Sequence, residues 1–221
     1  MENSVAELFV ILALNPKKGR LSIDSIHFRY TLTGAILMDY LDGEEFKVDN
    51  KRVVPSLKIN DDAIHHLFAD RIMKSSKNRK ISYWIRSLTR KRRFIFSEMV
   101  KTLEKKRIIR IEQKSFLNIF PYKRYWFVDL SIRDKIMEAL REILLYGKQP
   151  GKKEIMLLGL VDASRAYRLM TKERGETKTM REKNAILLKG DAMTAEISQT
   201  IKEVRAAIVA SVAAAAAAHG S

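Results

Sequence analysis

Residues 81–129, ISYWIRSLTRKRRFIFSEMVKTLEKKRIIRIEQKSFLNIFPYKRYWFVD, decide the reading of the fold. Tyr83, Trp84 and Ile85 sit in a short basic helix, and Phe94, Met99, Val100 and Leu103 continue a second helical pattern. Two β-rich arms follow around a tip near residues 113–121, which predicts a hairpin over about 107–129. Its apolar residues are too many for one small hairpin to bury by itself. Phe116, Leu117, Ile119, Phe120 and Tyr122 at the tip therefore fold back onto the core, wedge into a lipid interface or meet a neighbouring subunit. Aromatic residues beside Lys114 and Lys123 suit the boundary between headgroups and acyl chains. From Arg71 to Arg93 there are ten Lys/Arg and no Asp or Glu. Arg90, Lys91, Arg92 and Arg93 form the densest part, supplying both guanidinium forks and compact ammonium charges for phosphate.

Toward the N-terminus, Ser4 and Glu7 stand at capping-box spacing before the apolar run from Leu8 to Leu14. Pro16 and Gly19 stop that helix. A second helix is expected from about Ser25 to Leu41, ending before Gly43. Residues 46–54 alternate around Asp49 and Asn50 as a short hairpin, and Pro55 ends it. Glu44 with Glu45 and Asp61 with Asp62 read as turn and helix-start residues. Asn60 is placed to cap a third helix carrying Ile64, Leu67, Phe68 and Ile72. Toward the C-terminus, Ser131 and Asp134 open a helix with Ile132, Ile136, Leu140 and Ile143. Residues 155–170 lack a polar face and predict the central buried helix. Residues 171–183 read as a charged loop, and Ile197, Ile201, Val204 and Ile208 mark the last helix. An alanine-rich tail covers about 206–221. With no repeat and no Gly/Ser linker, residues 1–221 read as a single domain. The expected fold class is mainly α: a helical bundle with surrounding amphipathic helices and a projecting β-hairpin.

The 42 Lys+Arg against 26 Asp+Glu give a net charge of +16 over 221 residues, with a pI near 10.0. Such an excess implies an anionic partner: nucleic acid, an acidic membrane or a phosphorylated ligand. The absence of cysteine excludes disulfides, thiolate metal sites and cysteine nucleophiles. MENSVAELFVILAL is acidic before its apolar run and reads as a helix rather than a leader. No stretch reaches the roughly 20 strongly apolar residues of a spanning helix, and the tract 206–218 is too short and too weakly apolar. The expectation is a soluble cytoplasmic chain, peripheral at a membrane surface. His66 and Asp70 stand four apart, but no second pair completes a metal site. There is no Gly-rich phosphate loop, nucleophile elbow or paired-carboxylate motif. No catalytic residue, metal or cofactor is expected, and the reading is a binding protein rather than an enzyme.

Several segments carry a resemblance. ELFVILALNPKKGRL, TLTGAILMDYLDG, YWIRSL, MVKTLEKKRII, SFLNIF, ALREILLYGKQP and LLGLVDASRAYRLM occur in the order found in the Golgi phosphoprotein 3 family. The chain resembles that family, which includes bacterial members, over about residues 4–212. The resemblance implies a central helical bundle with a projecting hairpin. It also implies phosphatidylinositol 4-phosphate on a flat basic face, and a peripheral adaptor role that retains membrane-protein clients. The family's ligand-stacking tryptophan falls on Asp24 and its first arginine on Thr33. Of its two later arginines, one falls on Arg93 and the other on Phe96. One position of four keeps the required chemistry, and an aspartate beside a phosphate would repel it. The general basic face is better retained than the pocket.

Two functions follow. The first is a peripheral membrane protein that recognises anionic lipid headgroups, with the basic cluster as footprint and the hairpin as insertion element or homo-oligomer contact. The second is a nucleic-acid-binding winged helix, because a helix followed by a hairpin is the order in which a wing follows a recognition helix. The exposed face of residues 94–105 offers mainly Ser97, Glu98, Lys101 and Thr102, a poor set for base edges. An apolar tip is also a poor wing, so membrane lipids are the preferred partner.

Overall fold

Ser4 opens the first helix in the manner its spacing predicts. Its hydroxyl accepts from Glu7 N while the Glu7 carboxylate accepts from Ser4 N, so both halves of the capping box form. The helix, α1 (Val5–Ala13), has no polar face and all nine of its residues are buried. The structure is a computed structural model that describes residues 3–49, 52–56, 62–117, 119–173, 175–189 and 195–219. Within these, the side chains of residues 196, 212 and 214–219 are not described.

The element order is α1, a two-residue pair β1 (Leu14–Asn15) and β2 (Arg20–Leu21), then α2 (Ser25–Asp42). β3 (Phe46–Asp49) and β4 (Arg52–Pro55) pair antiparallel, and β5 (Arg79–Lys80) joins the far side of β4 after α3 (Ala63–Met73). Next come α4 (Ile81–Thr89), α5 (Arg92–Lys105) and the long hairpin β6 (Ile109–Phe116) and β7 (Phe120–Phe127). The chain finishes with α6 (Ser131–Tyr146), α7 (Lys152–Ala163), a 3-10 turn (Ala166–Leu169), α8 (Glu176–Leu187) and α9 (Ala195–His219). The mainly helical class and the hairpin expected from the pattern are both present.

The core is one cluster of buried side chains contributed by the helices from α1 to α9. α2 and α7 meet α9 at very close range. A Cβ on Gly34 would come within 2.1 Å of Val204, and one on Gly159 within 2.3 Å of Ile201. Two missing side chains thus let α9 lie in a groove formed by α2 and α7. Asp39 on α2 adds a polar clamp, accepting from Val5 N and Ala6 N, each at 2.8 Å. It satisfies amides that the start of α1 cannot bond internally.

Three local expectations change. Residues 155–170 are not one helix: α7 ends at Ala163, Arg165 turns into the left-handed region with φ 55°, and a 3-10 turn follows. Residues 171–183 are not simply a loop, since Glu176 starts α8. The Glu176 carboxylate forks onto Arg141 of α6 and also accepts from Lys172 N and Glu173 N. That tertiary ion pair, invisible to helical periodicity, fixes the start of the helix. Asp62 caps α3 by accepting from His65 N, whereas Asn60, the expected cap, lies outside the described residues.

Candidate anion-binding site

α4 and α5 are separated by a turn of two residues, Arg90 and Lys91. Arg90 closes α4, Lys91 stands at the N-cap of α5, and Arg92 and Arg93 are its first helical residues. Lysine has no acceptor to offer the orphan amides of a helix start, and no side chain caps α5. All four cations are exposed, and none makes an ion pair or side-chain hydrogen bond among the described residues. The sequence thus places four unpaired positive charges on the positive end of a helix dipole, an arrangement that favours anions.

Beside this turn lies a pocket of about 300 Å³ between α2 and α5. Its floor is apolar, from Leu21, Ile23, Phe28, Leu32 and Phe96, and its polar wall is Arg29, Arg92 and Arg93. Arg29 comes from the second turn of α2, and its buried Nε has no acceptor among the described residues. A buried donor without a partner is costly, so an acceptor supplied from outside would relieve it.

Thr33, Arg93 and Phe96 line this pocket together, although 60 residues separate the first two in the chain. The Thr33 hydroxyl lies within hydrogen-bond distance of Arg29 O at 2.9 Å and of the Thr89 hydroxyl at 3.1 Å, and its one proton is shared between these two acceptors. Its oxygen is therefore committed to the fold. Phe96 packs edge-on against Phe28 at 5.4 Å and against Tyr125 at 5.3 Å, while Phe28 stacks on Phe9 at 5.8 Å. A row of four rings runs from the core, under the pocket, to the base of the hairpin. Asp24 does not line the pocket, unlike its neighbours Ile23 and Ser25. It caps α2 by accepting from Ile26 N and His27 N, and its other oxygen pairs with the His27 ring. The carboxylate is thus turned to the start of α2 rather than into the pocket lining.

Sequence reasoning missed Arg29. The available signal was its position one helical turn before Thr33 on the same face.

The hairpin tip is solvent-facing: Phe116 and Phe120 are each 61% exposed, and Leu117 and Ile119 each 70%. Phe116 lies opposite Phe120, and Lys114 opposite Tyr122. Of the three fates open to these residues, folding back onto the core is the one this geometry removes. The base is anchored instead, by Tyr125 N donating to Gly19 O at 2.9 Å, while Trp126 Nε1 donates to Glu112 across the two strands at 2.6 Å. Asp70 pairs with Lys74, and no group of three or more metal-ligating side chains gathers among the described residues. Nor is any helix among them long and apolar enough to cross a membrane.

The chain is thus a mainly helical bundle with a cation-rimmed pocket and a projecting hairpin whose tip is apolar. Residues 5–216 match the family of Golgi phosphoprotein 3 (GPP34), nearly the whole chain, and the protein belongs to that family. Comparison with curated proteins gave no match.

Proposed function

We propose that the protein is a peripheral membrane protein that binds anionic lipid headgroups through the α2–α5 pocket and docks its hairpin tip in the interface. The observation that carries this reading is the convergence of Arg29, Arg92 and Arg93 on one apolar-floored pocket at an uncapped helix start. Guanidinium forks match phosphate oxygens bidentately, and each basic residue near an anionic surface contributes about 1 kcal/mol. With Arg90 and Lys91 on the rim, such contributions suffice for reversible docking. The exposed tip then supplies a component that salt does not screen. Phosphatidylinositol 4-phosphate is the family ligand to test first. Adaptor activity toward membrane-protein clients and self-association through the hairpin are extensions of the same reading. The chain is read as a binding protein without catalysis.

The test is co-sedimentation with neutral, phosphatidylglycerol-containing and phosphatidylinositol 4-phosphate-containing vesicles at low and high salt. Binding to anionic vesicles that is lost in the Arg92→Glu/Arg93→Glu double variant is expected. Preference for the phosphoinositide vesicles would mean that the pocket selects its headgroup, and equal binding would mean a general basic face. Absence of binding to any vesicle overturns the proposal. Salt-sensitive binding to duplex DNA would then favour the winged-helix reading of α5 and the hairpin.

A further inference from the structure

A second cavity, of about 720 Å³, opens where α9 crosses the end of α7. Arg165 from the α7–3-10 junction, Arg181 from α8, Arg205 from α9 and His27 from α2 converge on it from four separate elements. Among the described residues, Asp162 is the sole carboxylate in its lining. That carboxylate is already engaged, pairing with Arg205 and accepting from Tyr167 Oη at 2.7 Å. His27 is paired with Asp24, which lies outside the cavity wall. Three arginines against one occupied aspartate leave the cavity positive. Arg181 lies over the Tyr167 ring at 5.9 Å. Beyond Arg205, α9 lines the cavity with the apolar Ile208, Val209 and Ala213, and Val209 is largely exposed.

Arg165 is the informative residue. It adopts φ 55°, a backbone region that disfavours any residue with a Cβ and suits glycine. Its side chain makes no ion pair or hydrogen bond among the described residues that would repay this. Strained positions of this kind cluster at ligand clamps and switch regions, and of the four non-glycine residues with positive φ among the described residues Arg165 is the one that lines this cavity. Here the junction turns sharply out of α7 and delivers a free guanidinium to the cavity.

We propose that this cavity is a second binding site, taking a phosphoryl group on the three arginines and an attached apolar group against α9. The site is independent of the α2–α5 pocket: the two share no lining residue, and either reading stands if the other fails. A phosphoryl group held this way has two sources, a lipid or a small soluble phosphate, and the probes distinguish them. The experiment is calorimetric titration of the full chain with dihexanoyl phosphatidic acid, with inorganic pyrophosphate and with dihexanoyl phosphatidylcholine as the zwitterionic control.

Phosphatidic acid uptake with little response to phosphatidylcholine is expected, and tight pyrophosphate binding would mark a soluble source. Arg165→Gly removes the guanidinium and the strain together, so it should melt at or above the wild-type temperature. It should nevertheless bind about tenfold or more weakly, the loss expected for one charged hydrogen-bonding group. Arg181→Gln, on a different helix, should carry a comparable loss. The α2–α5 pocket would take these anionic probes as well, so each titration is repeated in the Arg92→Glu/Arg93→Glu background, where the remaining uptake should still depend on Arg165 and Arg181; loss of all uptake in that background also overturns the proposal. Wild-type affinity in both Arg165→Gly and Arg181→Gln overturns the proposal. So does equal uptake of phosphatidylcholine, or no uptake of any phosphorylated probe at millimolar concentration.

Discussion

The Thr89 hydroxyl bonds that of Thr33 at 3.1 Å, tying α4 to α2 directly behind the α2–α5 pocket. Thr89 gives its single proton to Ile85 O at 2.6 Å and so accepts from Thr33, and both side chains are buried. Thr33→Val removes the shared oxygen while keeping the shape. It should lower stability by about 1 kcal/mol, the usual worth of such a bond. Vesicle binding should be unchanged, because this hydroxyl is not available to a headgroup. Urea melts and co-sedimentation on one preparation check both halves, and a loss of binding at full stability would show that Thr33 does reach the ligand.

Leu117 caps the hairpin with φ 52° and a side chain that touches solvent more than protein. Leu117→Asp should leave the melting temperature within experimental error, since no core contact is lost. High-salt vesicle binding should fall several-fold, because an aspartate at an interface opposes both insertion and an anionic surface. Sedimentation velocity on the same variant reports whether the tip also joins subunits.

Asp39 is buried, and burial lifts its carboxyl from 3.8 to about 6 in spite of the two α1 amides that hold its charged form. In the folded state it therefore takes up a proton at higher pH than in the unfolded chain. Stability from this group is greatest below about pH 4 and declines as pH rises to about 6. Asp39→Asn should flatten that part of the curve. A pH series of denaturant midpoints, wild type against variant, makes the comparison.

Glu176 runs the other way. The Arg141 guanidinium beside it, helped by the Lys172 and Glu173 amides, holds its carboxyl at about 2, well below its usual 4.5. Its stabilising contribution is complete at pH values above the usual carboxylate range and is lost as pH falls toward 2. Glu176→Gln breaks the fork and leaves Arg141, only 7% exposed, without its counter-charge. A loss of about 1–2 kcal/mol is expected, the range for a charged hydrogen bond in a part-buried pair. Faster amide exchange across α8 would show that the loosening is local.

What was legible in the sequence was what depends on neighbours along the chain. Ser4 and Glu7 announce α1 because both partners of the cap lie within one turn. The alternating arms about Phe116 and Phe120 announce the hairpin for the same reason. α8 was hidden because its start depends on Arg141, 35 residues away. The break after Ala163 was hidden because an arginine in the left-handed region carries none of the signal that a glycine would. The cationic turn at residues 90–93 was plain as composition. Its value as a site was not, because the pocket needs Arg29 from a helix brought alongside by tertiary packing alone.

The row of rings from Phe9 through Phe28 and Phe96 to Tyr125 has a consequence for avidity. Two eight-residue strands reach about 25 Å, yet their base is wedged against the floor of the pocket. The tip is therefore tethered to the cationic turn by a stiff arm rather than a floppy linker. In the proposed docking, once one contact is seated, the other would meet the same surface at high effective concentration and at a preset angle. Two weak grips joined in this way hold far longer together than either would alone, provided the surface is flat enough to meet both.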